Sequence, residues 1–226
     1  VQRGAPRRPQ PWVAVGDSIP DGNGSTPGAD HRWPDFLAQR LAPQGVAVLN
    51  AGISGNRLLR HGMGEAGLAR LGQDALLQPG VRSVIVLLGT NDIGWPGGPF
   101  APGETVPSLD ELAAGFRQLV AQARLNGVRV VGATVPPSED ALKGTPLEGH
   151  YSPAKDAARQ ALNTWIRESG AFDAVVDFDR VLRDPSRPSR LRADYDSGDH
   201  LHPGDAGYRA MAQAVDLQVL LGSGAH

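Results

Sequence analysis

Four short segments of the chain carry residue types that together could transfer an acyl group: Gly16-Asp17-Ser18, Ser54-Gly55-Asn56, Gly89-Thr90-Asn91-Asp92 and Asp199-His200-Leu201-His202. A serine hydroxyl needs a base to take its proton, the base needs a carboxylate to hold its tautomer, and the oxyanion that forms needs several aimed donors. Ser18, His202 and Asp199 can fill the first three roles, and Gly55 and Asn91 can supply donors. Each segment alone has a plainer use. Gly-Asp-Ser is a turn sequence, Gly55 suits a turn, Asn91 suits a helix cap, and Asp199 with His202 could cap a helix starting near Gly204. Their occurrence together, in fixed order, favours the chemical reading.

The elements that must position these residues alternate along the chain. Short apolar, β-branched runs at 12–15, 46–49, 81–88, 128–133 and 174–176 predict strands covered on both faces, and hence a parallel sheet. Segments at 34–41, 65–77, 109–125, 153–169 and 204–221 carry helical spacing. Repeated β-then-α order predicts an α/β fold, a three-layer α/β/α sandwich with right-handed crossovers. On that frame Ser18 follows the first strand, Gly55 lies shortly after the second, Asn91 follows the third and His202 precedes the last helix. All four can then reach one edge of the sheet, where open α/β sheets bind ligands. Two long Gly- and Pro-rich stretches, 94–108 and 136–152, follow strands on that same side and read as lids or substrate walls. Trp95, Tyr151 and Tyr195 sit in or near these rim loops, where they could stack on a sugar or simply pack. Trp95, Tyr195 and His200 are the candidate substrate contacts.

Composition bounds these readings. With 226 residues, 40% hydrophobic and 20% charged, the chain suits one well-buried domain, taken as 12–226. Residues 1–11, with Arg3, Arg7, Arg8 and three prolines, suit an extended linker better than a basic nucleic-acid arm. A formal charge of -2 gives no global electrostatic reason to bind nucleic acid or an anionic membrane. No apolar stretch approaches the roughly 20 residues of a membrane span. The absence of cysteine excludes disulfides, thiolate metal sites and a Cys nucleophile. No G-x-S-x-G pentapeptide occurs, which disfavours the strained elbow of the α/β-hydrolase fold. Residues 62–67 satisfy G-x-G-x-x-G without directly following a strand, so dinucleotide binding is set aside. Asp199, His200 and His202 could alternatively ligate zinc, but no second His/Asp cluster accompanies them, and no metal is expected.

In sequence order, the blocks Gly-Asp-Ser at 16–18, Asn-Ala-Gly-Ile-Ser-Gly-Asn at 50–56, Gly-Thr-Asn-Asp at 89–92 and Asp-x-x-His-Pro at 199–203 resemble those of the SGNH, or GDSL-type, hydrolase (esterase/lipase) family. The resemblance implies a flavodoxin-like sandwich on five parallel strands. It also implies Ser18 as nucleophile, His202 as base, Asp199 as its orienting partner, and an oxyanion hole from the N–H groups of Ser18 and Gly55 with the Asn91 amide. Some members with a similar Asn-Ala-Gly-Ile block act on acetylated plant polysaccharides, and others hydrolyse simple esters or lipids. Pro20 departs from many members, which carry a residue with an amide hydrogen there, and it removes a donor close to the nucleophile. The expected function is a serine esterase acting on short-acyl or O-acetyl esters, carbohydrate esters included, through an acyl-enzyme. It is expected to need no cofactor, to be a monomer, and to take a small-molecule or saccharide ester. An O-acyltransferase using the same site and a non-catalytic carbohydrate-binding module are the alternatives. Secretion is favoured over other locations, with any signal peptide or upstream domain lying before Val1.

Overall fold

Branched apolar residues are frequent in the sheet because extended backbone gives their χ1 room, and in its three inner strands burial on both faces rewards their bulk. The computed structural model describes residues 10–218. It forms one parallel five-stranded sheet in the order β2-β1-β3-β4-β5. The strands are β1 Trp12–Gly16, β2 Val48–Gly52, β3 Ser83–Leu87, β4 Arg129–Ala133 and β5 Ala174–Val176. The helices are α1 Ser18–Asp21, α2 Trp33–Leu41, α3 Gly67–Leu71, α4 Thr90–Gly94, α5 Leu109–Leu125, α6 Pro153–Glu168, α7 Phe178–Leu182 and α8 Asp205–Ala214. The strand order reverses between β1 and β3, which is where flavodoxin-like sheets open a ligand crevice at their carboxyl ends.

Side-chain alternation along β1 separates two cores. Val13 and Val15 join Val84 and Val86 under Leu71 of α3, Phe116 and Leu119 of α5, and Leu162 and Ile166 of α6. Trp12 and Ala14 join Ile85 and Leu87 under Trp33 and Leu37 of α2, Phe178 of α7, and Tyr208 and Met211 of α8. This is the predicted three-layer sandwich. Burying each large apolar side chain stabilises it by about 1.5–3 kcal/mol, so both layers are anchored well away from the sheet's carboxyl edge. The two long covering helices also have clean starts. Ser108 and Glu111 form a reciprocal capping box on α5, and Ser152 caps α6 ahead of Pro153.

Several elements depart from the sequence expectation. β2 runs two to three residues later than the apolar run at 46–49, because pairing Ala14 with Asn50 and Gly16 with Gly52 sets its bounds rather than strand propensity. The helix expected over 65–77 starts at Gly67 and loosens into a π-helical turn over Gly72–Leu76. The final helix stops at Ala214. The end of its predicted span lies outside the described residues, as does most of the predicted linker over 1–11. α1, α4 and α7 were not expected, since helices of four or five residues are too short to display a 3.6-residue period. The two predicted long loops are present, one running from Trp95 to α5 and the other from β4 to α6.

Candidate active site

The nucleophile candidate sits at a junction that only a glycine-ended strand allows. A Cβ at Gly16 would lie 2.4 Å from the Leu87 carbonyl oxygen, so β1 and β3 close together beneath residue 18. The chain then turns directly into α1, with Asp17 as N-cap accepting the Ile19 N–H at 3.0 Å. Ser18 is the first helical residue and 5% exposed. Pro20 falls at the third helical position, where a backbone N–H has no intrahelical acceptor, so the missing donor leaves α1 intact. Its carbonyl accepts from Asn50 Nδ2 at 2.6 Å, tying α1 to β2. Burial pushes the Asp17 carboxyl up to about 6.

From the far end of the sequence, the turn before α8 brings His202 to this serine. His202 Nε2 lies 2.8 Å from Ser18 Oγ, and His202 Nδ1 lies 2.6 Å from Asp199 Oδ2. The other Asp199 oxygen accepts the N–H groups of Leu201 and His202 at 2.9 and 2.8 Å, so the carboxylate both orients the ring and folds the turn. Burial alone would raise the Asp199 pKa, but the hydrogen bond and charge of His202, with those backbone donors, outweigh it and hold the carboxyl well below its usual range. Backbone bonds from Ser197 N–H to His202 O (3.1 Å) and from Gly204 N–H to Tyr195 O (2.7 Å) close the turn.

The donor side is built from the ends of β2 and β3. Gly55 lies in the turn after β2 with φ +77, and any side chain there would strike Met63, whose Sδ is 2.2 Å from the Cβ position. Its carbonyl accepts from Trp95 Nε1 at 3.1 Å, which ties the peptide between Gly55 and Asn56 to the end of α4. Asn91 is buried in the first turn of α4, and its Nδ2 donates to the Asn56 carbonyl at 3.0 Å. That bond uses one amide hydrogen and leaves the other. Asp92, whose pKa burial raises, accepts the N–H groups of Leu58 and Leu59 at 2.7 and 3.0 Å and so pins the segment after Gly55 to α4. Nucleophile, base, carboxylate and candidate donors are thus gathered at the carboxyl ends of β2, β1 and β3.

The family model of the GDSL-like Lipase/Acylhydrolase family matches residues 14–210. The chain belongs to this family. The GDSL fold is shared with several solved structures. A native aryl esterase from M. smegmatis is 19% identical, with a TM-score of 0.69 over 94% of this chain and 99% of its own. A carbohydrate acetylesterase from Sinorhizobium meliloti is 18% identical, with a TM-score of 0.68 over 94% and 99%. A GDSL-like lipase from Bacteroides thetaiotaomicron is 18% identical, with a TM-score of 0.69 over 98% and 92%. A search among curated proteins found no match.

Beside Ser18, a cavity of about 550 Å³ opens along Asp199 and His202. Its other wall is the loop 21–32, which presents Asn23, Ser25, Thr26, His31 and Arg32. Asp205 at the start of α8 holds this loop in place. It accepts the Thr26 N–H at 2.8 Å and hydroxyl at 2.7 Å, and it lies 2.6 Å from His31 Nδ1. Tyr208 donates to the Asn23 carbonyl at 2.5 Å.

The three candidate substrate contacts fall elsewhere. Trp95 is buried, edge-on to the rings of Phe100 and His150, and offers no open stacking face. Tyr195 is half-buried beneath the Arg192 guanidinium at 4.6 Å, and Tyr151 is likewise half-buried. His200 turns away from Ser18 to Asp196, 2.5 Å from its Nδ1. Neither Tyr195 nor His200 lines the cavity. Among the described residues no three His, Cys, Asp or Glu side chains gather as a metal site, and no helix is long and apolar enough to cross a membrane. Sequence reasoning passed over Asp196, the partner of His200, and His150, which touches Asn91. The signal for Asp196 was its spacing of four from His200, whereas nothing local marks His150.

Proposed function

We propose that this GDSL family member is a serine esterase that removes short acyl groups from polar alcohols, O-acetylated saccharides among them, through an acyl-enzyme. The observation that carries the reading is the hydrogen-bonded line from Asp199 through His202 to Ser18, at 2.6 and 2.8 Å. Ser18 Oγ attacks the ester carbonyl carbon as His202 Nε2 takes its proton, and Asp199 stabilises the imidazolium. The oxyanion receives the N–H groups of Ser18 and Gly55 and the remaining amide hydrogen of Asn91. His202 returns its proton to the leaving alkoxide, and a water activated the same way then releases the acid.

Substrate preference follows from which side of Ser18 each half of the ester must occupy. The leaving oxygen has to face the residue that protonates it, so the alcohol lies on the His202 side, along the polar cavity. The polar side chains of that wall suit a hydroxyl-rich alcohol. The acyl group lies toward Gly55, where Met63 packs against the glycine and favours a short chain. A panel of nitrophenyl esters from acetate to palmitate, run beside acetylated xylan with acetate release measured, tests both halves. Acetate esters are expected to react at least tenfold faster than octanoate in kcat/KM, and xylan to release acetate. Fastest turnover on palmitate would refute the short-acyl reading. Failure of a serine-directed organophosphate to label Ser18 would refute the esterase reading itself.

A further inference from the structure

The loop between β4 and α6 delivers one side chain into the site from outside the four sequence blocks. His150 is 5% exposed and its Nε2 lies 3.3 Å from Asn91 Oδ1. The orientation of Asn91 is forced, because its Nδ2 faces the Asn56 carbonyl, which can only accept. Asn91 Oδ1 therefore faces His150, and the ring nitrogen opposite it must donate. The reverse tautomer would set two lone pairs against each other and leave a buried Nδ1–H without an acceptor, since His150 Nδ1 has no hydrogen-bond partner among the described residues.

The surroundings are shaped around that ring. A Cβ at Gly94 would sit 2.1 Å from His150 Nε2, so α4 admits the imidazole only because residue 94 is glycine. Trp95, the next residue, meets the ring edge-on with centroids 5.2 Å apart. Lys155 of α6 donates to the carbonyls of Gly94 at 2.7 Å and Gly149 at 2.6 Å, stapling the loop to the end of α4. Burial first, and then the charge of Lys155, lower the His150 pKa to about 3, so the ring is neutral wherever an esterase works.

We infer that His150 is a positioning residue for the oxyanion hole: its neutral Nε2–H holds Asn91 Oδ1, so that the amide hydrogen not bonded to Asn56 stays aimed at the developing oxyanion. This rests on the esterase reading above. Without the Nε2–H, Asn91 Oδ1 loses its donor and the amide can rock about χ2. A misaimed donor lowers transition-state stabilisation while leaving ground-state binding nearly untouched. His150 never meets the substrate, so its whole effect passes through Asn91.

Two measurements test this. In wild-type protein, the ¹⁵N shifts of the His150 ring at neutral pH should report the Nε2–H tautomer, and an Nδ1–H or doubly protonated ring would overturn the inference independently of any activity. In a double-mutant cycle on nitrophenyl acetate, with folding checked by thermal melts, His150→Phe should lower kcat by roughly 10- to 100-fold with KM within about twofold. His150→Gln, which keeps an N–H donor, should recover part of that loss. In an Asn91→Ala background, His150→Phe should cost less than about threefold. An equal cost in both backgrounds would make His150 merely structural. If Asn91→Ala itself leaves kcat unchanged, the oxyanion assignment fails and this inference fails with it. If Asn91→Ala is severely impaired and folded His150→Phe is not, only the inference falls.

Discussion

Within seven residues the chain builds two histidine–aspartate pairs that look nearly interchangeable and are not. His202 sits 2.6 Å from Asp199 and His200 sits 2.5 Å from Asp196, both through Nδ1. Each aspartate also accepts two backbone N–H groups of the same turn. The difference lies at the far side of each ring. His202 has its side chain 9% exposed and meets Ser18 Oγ with Nε2, whereas His200 is 38% exposed and faces outward. Backbone conformation separates them, because His200 adopts φ +62, a left-handed value that reverses the direction of the chain between the two rings. A histidine with its carboxylate can take a proton from a serine only where a hydroxyl stands against its other nitrogen, and a distant part of the sequence places Ser18 there for His202 alone.

The largest expected effect comes from breaking the Ser18–His202 contact. His202→Ala should lower kcat/KM at least about a thousandfold, as should Ser18→Ala, and the double variant should cost little more because the two act as one unit. Steady-state kinetics on nitrophenyl acetate check this. Additive losses would mean that proton transfer and attack are not coupled through the Ser18–His202 contact.

Substituting the two carboxylates sharpens the same contrast. Asp199→Asn should lower kcat by about a hundredfold or more by presenting a donor where His202 Nδ1–H needs an acceptor, with KM little changed. The matching Asp196→Asn should stay within about threefold of wild type. Comparable losses in the two variants would erase the distinction drawn between the pairs.

A third carboxylate, Asp17, adjoins Ser18 in sequence and feels the charge of His202, but its hydrogen bond goes to the Ile19 N–H rather than to a histidine. It is wholly buried, and its native pKa of about 6 exceeds the ordinary value of 3.8. The native state therefore holds this proton more tightly than the unfolded chain, so the stability it contributes is fully present below about pH 3.8 and is lost as pH rises through 6. Denaturant unfolding of wild type and Asp17→Asn at about pH 4.5 and about pH 7.5 isolates the group. The variant should gain about 2 kcal/mol relative to wild type on going from the lower pH to the higher. An unchanged difference between the two proteins would show that Asp17 titrates alike in both states.

How much of this was visible in the sequence follows the range of the interactions involved. The inner strands β1, β3 and β4 and the long helices were legible because burial on both faces and 3.6-residue periodicity are local signals, and the edge strands β2 and β5 showed only as short apolar runs. Also legible were Ser18, Gly55, Asn91, Asp199 and His202 as candidates, since each stands in a short block at an expected strand or helix end. The end of β2 was not, because Asn50, Ala51 and Gly52 are poor strand formers held extended only by pairing with β1. Trp95 looked like a rim aromatic, but its hydrogen bond to Gly55 and its contact with His150 involve residues 40 and 55 positions away and draw it inside. His150 lacks a motif altogether, and its setting depends on a missing Cβ at Gly94 and an ammonium on α6.

The smallest expected effect is the one that guards the whole comparison. His200 and His202 both lie within three residues of Asp199, and a zinc-like arrangement of all three could be drawn from sequence alone. The fold separates them, since His200 spends its Nδ1 on Asp196 and contributes nothing to the line ending at Ser18. His200→Ala should therefore keep kcat/KM within about threefold of wild type, with the change confined to what the exposed turn at 196–200 gives to stability. Because residue 200 sits at positive φ, His200→Asn is the better control, as asparagine tolerates that conformation at low cost. Both variants should also leave activity unaffected by a chelator, as in the wild type. If a folded His200→Asn is inactive, or if EDTA removes wild-type activity and zinc restores it, then His200 rather than the Ser18 contact defines the site, and the outward-facing pair is the one that works.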